Sequence, residues 1–151
     1  MSRLFKQLEE LGQRAMNIHD KPDSGPTGKR TLPAVHTFST AMCWAACDRL
    51  AKIADSLQIK ERGVYWRKNA NTIRDSLIKN AFSKKINSFV STFEQEEVDA
   101  FLLLLPEIGI VNAKDEMFAS TLKAIEQKLK VGQFIKMNES DEVAHISATC
   151  L

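Results

Sequence analysis

From Thr37 to Cys47 the chain reads TFSTAMCWAAC, eleven residues without a charged side chain. A helix on the surface of a globular protein carries an apolar stripe and a wetted face. This one offers water almost nothing, so the fold it enters must cover it on nearly every side. Phe101–Leu105 makes the same demand, because five consecutive apolar residues point in all directions on a helix. Ala41–Leu50 and Phe101–Leu105 are expected to be the most buried segments of the molecule.

The segments around them read differently. Leu4, Leu8, Leu11 and Ala15 recur at helical spacing among Lys6, Glu9, Glu10 and Arg14, which predicts a one-sided helix over about 2–18. Trp66, Ala70, Ile73, Leu77 and Ala81 give a second single stripe over 65–82, and Phe118, Leu122, Ile125 and Leu129 a third over 114–130, closed by Gly132. The apolar helices fall between these, over 37–57 with Thr37 or Ser39 as cap, and over 96–105 with Pro106 ending it. A polar turn at 83–88 and an extended piece at 89–93 separate them, and DKPDSGPTGKRTLP at 20–33 is a long loop.

No strand framework competes, so the fold class is all-α. Alternation of one-sided helices with helices covered all round is what two concentric layers would impose. An ordinary helical bundle with one or two central helices fits the same periodicity, which does not choose between them.

At 151 residues, 44% hydrophobic and 26% charged, the chain has the composition of one ordinary globular domain. A net charge of +2, evenly mixed, gives no reason to expect nucleic acid or a membrane surface as partner. The longest apolar run, 98–111, is broken by Asp99, Pro106 and Glu107 and falls short of the roughly 20 residues of a membrane span. A soluble, cytoplasmic protein is expected. Cys43, Cys47 and Cys150 show no C-x-x-C spacing, and His19, His36 and His145 supply no matching ligand pair. The cysteines read as buried thiols in a reducing compartment, with no metal and no cofactor.

Five words of the sequence say more: PDSG at 22–25, HTFSTAMCWAACDRLAKIA at 36–54, SFVSTF at 88–93, VDAFLLLLPEIGI at 98–110 and AIEQKL at 124–129. In order and spacing they resemble the C-terminal half of the catalytic domain of glycoside hydrolase family 15, which contains glucoamylases and a group of trehalases. The resemblance runs from about Leu4 to the end. It implies an (α/α)6 barrel, six inner and six outer helices with the active site at one end of the inner ring. A whole domain of that kind is several times this size, so residues 1–151 are expected to form only part of the barrel. Self-association through exposed inner-helix faces is expected to follow. Trp44, near the start of an inner helix, either faces the sugar pocket or packs within the layer.

Family members invert configuration with two carboxylates, one a protonated general acid and the other the base that activates water. The family's acid lies in a pattern like P-D-x-G-I-W-E-x-R. Laid over this chain without gaps, Pro22, Asp23, Gly25 and Arg30 match, and the acid position falls on Gly28. Glycine has no proton to give, and the pKa of Lys29, about 10.4 when unperturbed, is far too high to stand in. Arg30 keeps the family arginine that would bind substrate hydroxyls. A pattern like P-E-x-A-F-x-x-C-T places the candidate general base at Glu142, with Glu139 and Asp141 as neighbours that compete for the role.

Two functions remain open on these residues. One is a partial family 15 domain whose parent hydrolyses α-glucosidic bonds in a glucan or trehalose, with this chain inactive alone. The other is a noncatalytic carbohydrate-binding or protein-interaction domain derived from the family, which the glycine at position 28 favours.

Overall fold

The computed structural model describes residues 2–26 and 33–141. Five α-helices dominate these residues, with two very short hairpins and one 3-10 turn between them. The first helix, α1 (Arg3–Ile18), starts where the Ser2 hydroxyl accepts a hydrogen bond from the Phe5 N–H. It buries Phe5, Gly12 and Ala15 against α2 (Thr37–Ser56) and α3 (Lys60–Ala81). α3 begins five residues earlier than its apolar stripe suggests, because Lys60–Val64 completes its first turns without contributing a large core side chain.

The α1–α2–α3 junction is tight. A Cβ on Gly12 would collide with Leu50 of α2 and stand 2.7 Å from the Trp66 ring of α3. Trp66 is fully buried, and its indole N–H donates to Glu9 Oε1 at 2.7 Å, an oxygen also held by Arg62 Nε at 2.6 Å. One partly buried carboxylate thus satisfies the only polar side-chain atom of the largest core residue.

After α3 the chain turns through a hairpin of β1 (Phe82–Ser83) and β2 (Ser88–Phe89), paired antiparallel with Phe82 opposite Phe89. Two residues per strand are too few to show a period of two, so only the turn between them is legible in the sequence. The next segment departs from expectation. Instead of one helix over 96–105, residues 95–98 are irregular, a 3-10 turn spans Ala100–Leu104, and α4 (Leu105–Ile108) follows. Pro106 stands in the first turn of α4 and opens that helix instead of closing one, because a residue there needs no N–H and fits a fixed φ. Gly109, at φ +96°, ends it. α5 (Glu116–Leu129) then docks on the β1–β2 hairpin, where Thr121 Oγ1 accepts from the Phe89 N–H at 3.0 Å. β3 (Lys130–Val131) and β4 (Phe134–Ile135) close the described fold as a second hairpin, turning at Gly132.

All-round burial of the two apolar segments is corrected in both. Ala41, Cys47 and Leu50 are buried, but Met42 is 49% exposed; Leu102 and Leu105 are buried, but Leu104 is 40% exposed. Each segment turns one apolar side to solvent, since no described element covers it. No described helix is long and apolar enough to cross a membrane.

Two measurements check this packing. In an exposed helix Gly→Ala raises stability by about 1 kcal/mol; at Gly12 the collision with Leu50 and Trp66 reverses the sign, and Gly12→Ala is expected to lower stability by about 1–3 kcal/mol in chemical denaturation. Burial, aided by neighbouring Cys43, pushes the Cys47 thiol up to about 11 from an ordinary 9.0. Alkylation of Cys47 at pH 8 is therefore expected to run about a hundredfold slower in the folded chain than in the unfolded one, read by peptide mass mapping.

Candidate active site

One end of the molecule gathers four backbone segments that are distant in sequence. The loop after α1 is pinned at its base, where Asp23 and Ala34 exchange hydrogen bonds of 2.9 and 3.3 Å. His36, just before α2, pairs as an isolated bridge with Thr92, and Asp99 pairs in the same way with Asn138. Further bonds lock the set: Thr37 N–H to Ser91 O at 2.9 Å, Phe93 N–H to Val35 O at 2.9 Å, and Ala100 N–H to Met137 O at 2.8 Å. Backbone groups at loops need partners when they are buried, and here they find one another.

The segments enclose a cleft of about 400 Å³ whose wall includes Pro26, His36, Thr92, Glu97, Asp99 and Phe101. His36 Nδ1 lies 2.9 Å from Asp23 Oδ1 and 3.0 Å from Ala34 O, so this nitrogen carries the proton and shares it between two acceptors. Asp23 Oδ1 also accepts from the Gly25 N–H at 2.5 Å. Gly25 has φ +72°, and a Cβ there would stand 2.6 Å from His36 Nε2. Both constraints demand glycine, which explains the last letter of PDSG.

Asp99 is only 9% exposed. Burial pushes its carboxyl above the ordinary aspartate range, opposed by the N–H groups of Leu102 and Phe101 and by the nearby His36. The Leu102 N–H reaches Asp99 Oδ1 at 3.2 Å, so the side chain caps the 3-10 turn. Beside it, Thr92 is 7% exposed, and its Oγ1 has no hydrogen-bond partner. Phe101 forms the apolar wall and meets the Phe38 ring of α2 in a tilted contact, ring centroids 5.0 Å apart. A hydroxyl without a partner, two carboxylates, an imidazole and a ring face together match the chemistry of a polyhydroxylated ligand.

Of the residues singled out from the sequence, Trp44 lies in the core, 7% exposed, with Gly109 against its ring and the Arg49 guanidinium 5.8 Å from the ring centroid. Trp44 is not among the residues that line this cleft. Gly28, Arg30 and Glu142 lie outside the described residues. Glu139 is committed elsewhere, since its Oε1 accepts from the Val98 N–H at 2.8 Å and from Lys128 Nζ at 2.9 Å. Among the described residues no cluster of His, Cys, Asp or Glu is arranged to hold a metal. Sequence reasoning overlooked His36, Thr92 and Asp99 as site residues, although all three stand inside the words that carried the resemblance.

The model for glycosyl hydrolases family 15 matches residues 31–147. The chain belongs to glycosyl hydrolases family 15. Relatives within it include the trehalase of Thermoplasma volcanium, 31% identical over 142 residues, which covers 93% of this chain and 23% of the relative. The trehalase of Thermoplasma acidophilum is 32% identical, with 89% and 23% covered, and trehalase 1 of Sulfolobus acidocaldarius is 34% identical, with 79% and 19% covered. The family 15 chain described here therefore spans less than a quarter of the length of these relatives.

The buried carboxyl at the cleft makes a pH-dependent prediction. Asp99 has its folded-state pKa raised, so ionising it costs stability above that pKa, and the cost disappears as pH falls below the ordinary value of 3.8. Asp99→Asn keeps the acceptor for Leu102 and removes the charge. The variant is expected to melt higher than the unaltered chain at pH 7, with the difference shrinking as pH is lowered toward 3.8.

Proposed function

We propose that this chain is one segment of an (α/α)6 domain that hydrolyses an α-glucosidic bond, with trehalose as the first substrate to try, and that its cleft is this segment's share of the sugar pocket. One observation carries the reading. Pro26 stands two residues before the position matched to the general acid, and Ser140 two residues before the position matched to the general base. Pro26 and Ser140 both line the same cleft. Two flanking residues more than a hundred apart in sequence thus meet at one cleft, which supports the reading. In this reading α2 and the 100–108 segment are inner helices, while α1, α3 and α5 are outer ones.

The chemistry asked of the site is the attack of water on the anomeric carbon, with a proton passing to a base and another given to the departing glycosidic oxygen. The two carboxyls of an inverting enzyme stand about 6.5–9.5 Å apart to leave room for that water. Glu142 is the base we propose, and Arg30 the group for substrate hydroxyls. Gly28 leaves the departing oxygen without a donor. A segment spanning 23% of its relatives also supplies only part of a pocket wall, so this chain alone is expected to turn over neither trehalose nor maltose.

Complementation tests the reading. The part of the Thermoplasma volcanium trehalase that this chain does not match is supplied in trans, and the Gly28 chain is compared with Gly28→Glu. Positioned acid catalysis contributes about 10²–10⁴-fold, and a gain of that order in trehalose hydrolysis is expected for the variant. Equal rates would show that the proton donor lies elsewhere. A second reading, binding without hydrolysis, is favoured by Gly28 itself. Saturable trehalose binding by the complemented Gly28→Glu chain, with no turnover, would select it.

A further inference from the structure

α1 carries one apolar face more than its own fold uses. The side turned to α2 and α3 buries Phe5, Gly12 and Ala15. The stripe read from the sequence, Leu4, Leu8, Leu11 and Ala15, does not go inward as a whole: Leu8 is half-buried against the core, while Leu4 is 65% and Leu11 58% exposed. Ile18, seven residues beyond Leu11, is 57% exposed. Single apolar side chains at a surface need no explanation. Three at intervals of seven, edged on the core side by Leu8 and Ala15, occupy positions 4, 8, 11, 15 and 18, at spacings of four, three, four and three. That is the seam along which one helix packs on another.

Each charged group of α1 has a definite place relative to this row. Glu9 is held within the chain by Arg62 and Trp66, and Lys6 stands nearly opposite the row on the helix, about half a turn round. Arg3, Glu10 and Arg14 remain, all exposed and along the outer flank. Past the end of the helix the His19 ring is tied back to the Met16 carbonyl, and Asp20 is half exposed with Lys21 3.5 Å away.

Two properties of the row choose its occupant. It is symmetric, since Leu4 and Ile18 lie seven residues to either side of Leu11, as a surface that meets itself across a two-fold axis requires. Its charges are complementary in one direction only. Two copies of α1 in parallel would set Arg3, Glu10 and Arg14 each beside its own like. In antiparallel, with Leu4 over Ile18 of the second copy, Arg3 comes to the turn holding Asp20 and Glu10 comes within one turn of Arg14. Symmetry makes each of these contacts twice, and the helix dipoles run opposed.

We propose that α1 is a dimerisation helix: two copies of this chain pair antiparallel along Leu4, Leu11 and Ile18, with Leu11 on the two-fold axis. The inference rests on α1 alone and not on the reading of the cleft. One helix against one helix is a small interface, so the dimer is expected to be weak, with a dissociation constant on the order of tens of micromolar.

Sedimentation velocity of the whole chain over a concentration series tests this, and an equilibrium between monomer and dimer is expected. Leu11→Glu puts two like charges on the axis and should weaken the dimer about tenfold or more. Glu10→Arg should also weaken it, and adding Arg14→Glu to that variant should restore it, because both members of each pair are exchanged. Met42→Glu on α2 and Val64→Glu on α3, at positions 49% and 71% exposed, should leave association unchanged. Helix content and melting temperature show that the variants stay folded. For the direction of pairing, chains carrying Leu4→Cys and Ile18→Cys are mixed and oxidised, and peptide mass mapping is expected to find position 4 joined to position 18 as the main product. A monomer persisting up to about 1 mM, a dimer that Leu11→Glu leaves intact, loss of the dimer with Met42→Glu instead, or position 4 joined mainly to position 4 would each overturn the proposal.

Discussion

The close approach of α1, α2 and α3 at Gly12 is the contact on which the rest of the fold depends. It brings the Trp66 indole beneath α1, where the Glu9 carboxylate takes its N–H and holds Arg62 at the same time. Once α2 and α3 are fixed there, their far ends are fixed too. The N-terminus of α2 delivers His36 and Thr37 to the loops at 88–99, and the C-terminus of α3 delivers the β1–β2 hairpin on which α5 docks. Asp48 supports the same pair of helices from the other side. Burial would raise its pKa, but bonds from Lys52 and Arg49 outweigh that and lower it, so this carboxylate stays charged where Asp99 resists ionisation.

From that frame the cleft follows by backbone pairing. Asp23 to Ala34, His36 to Thr92 and Asp99 to Asn138 are single bridges, each too small to count as a sheet, yet together they bind the four loops into one rim. The apolar row along α1 adds a second open surface. Neither surface is covered by a described element.

Two of the three helices with one stripe were legible almost to the residue, while α3 was legible at its end but not at its start. The spacing gave 2–18 and 114–130, against Arg3–Ile18 and Glu116–Leu129, because a single stripe and its flanking caps are local signals. The 96–105 segment was not, although its signals were equally local. Asp99 caps a turn and Pro106 opens a helix, and an unbroken apolar run obscured both. The two hairpins were too short for any period. The cleft was legible only as words, PDSG and SFVSTF, whose meeting depends on pairings between residues more than fifty apart, such as His36 with Thr92. No local pattern encodes such a pairing, whereas a resemblance to a family carries it implicitly.

The rim has one more consequence, for how such a chain changes over generations. Its shape is set by main-chain bridges and by Gly25, whose φ and contact with His36 admit no other residue. Selection that preserves folding therefore acts on Asp23, Gly25 and His36 whatever the cleft is used for. A cleft built in this way keeps its form independently of the chemistry it serves, and so stays available for recruitment to a new ligand.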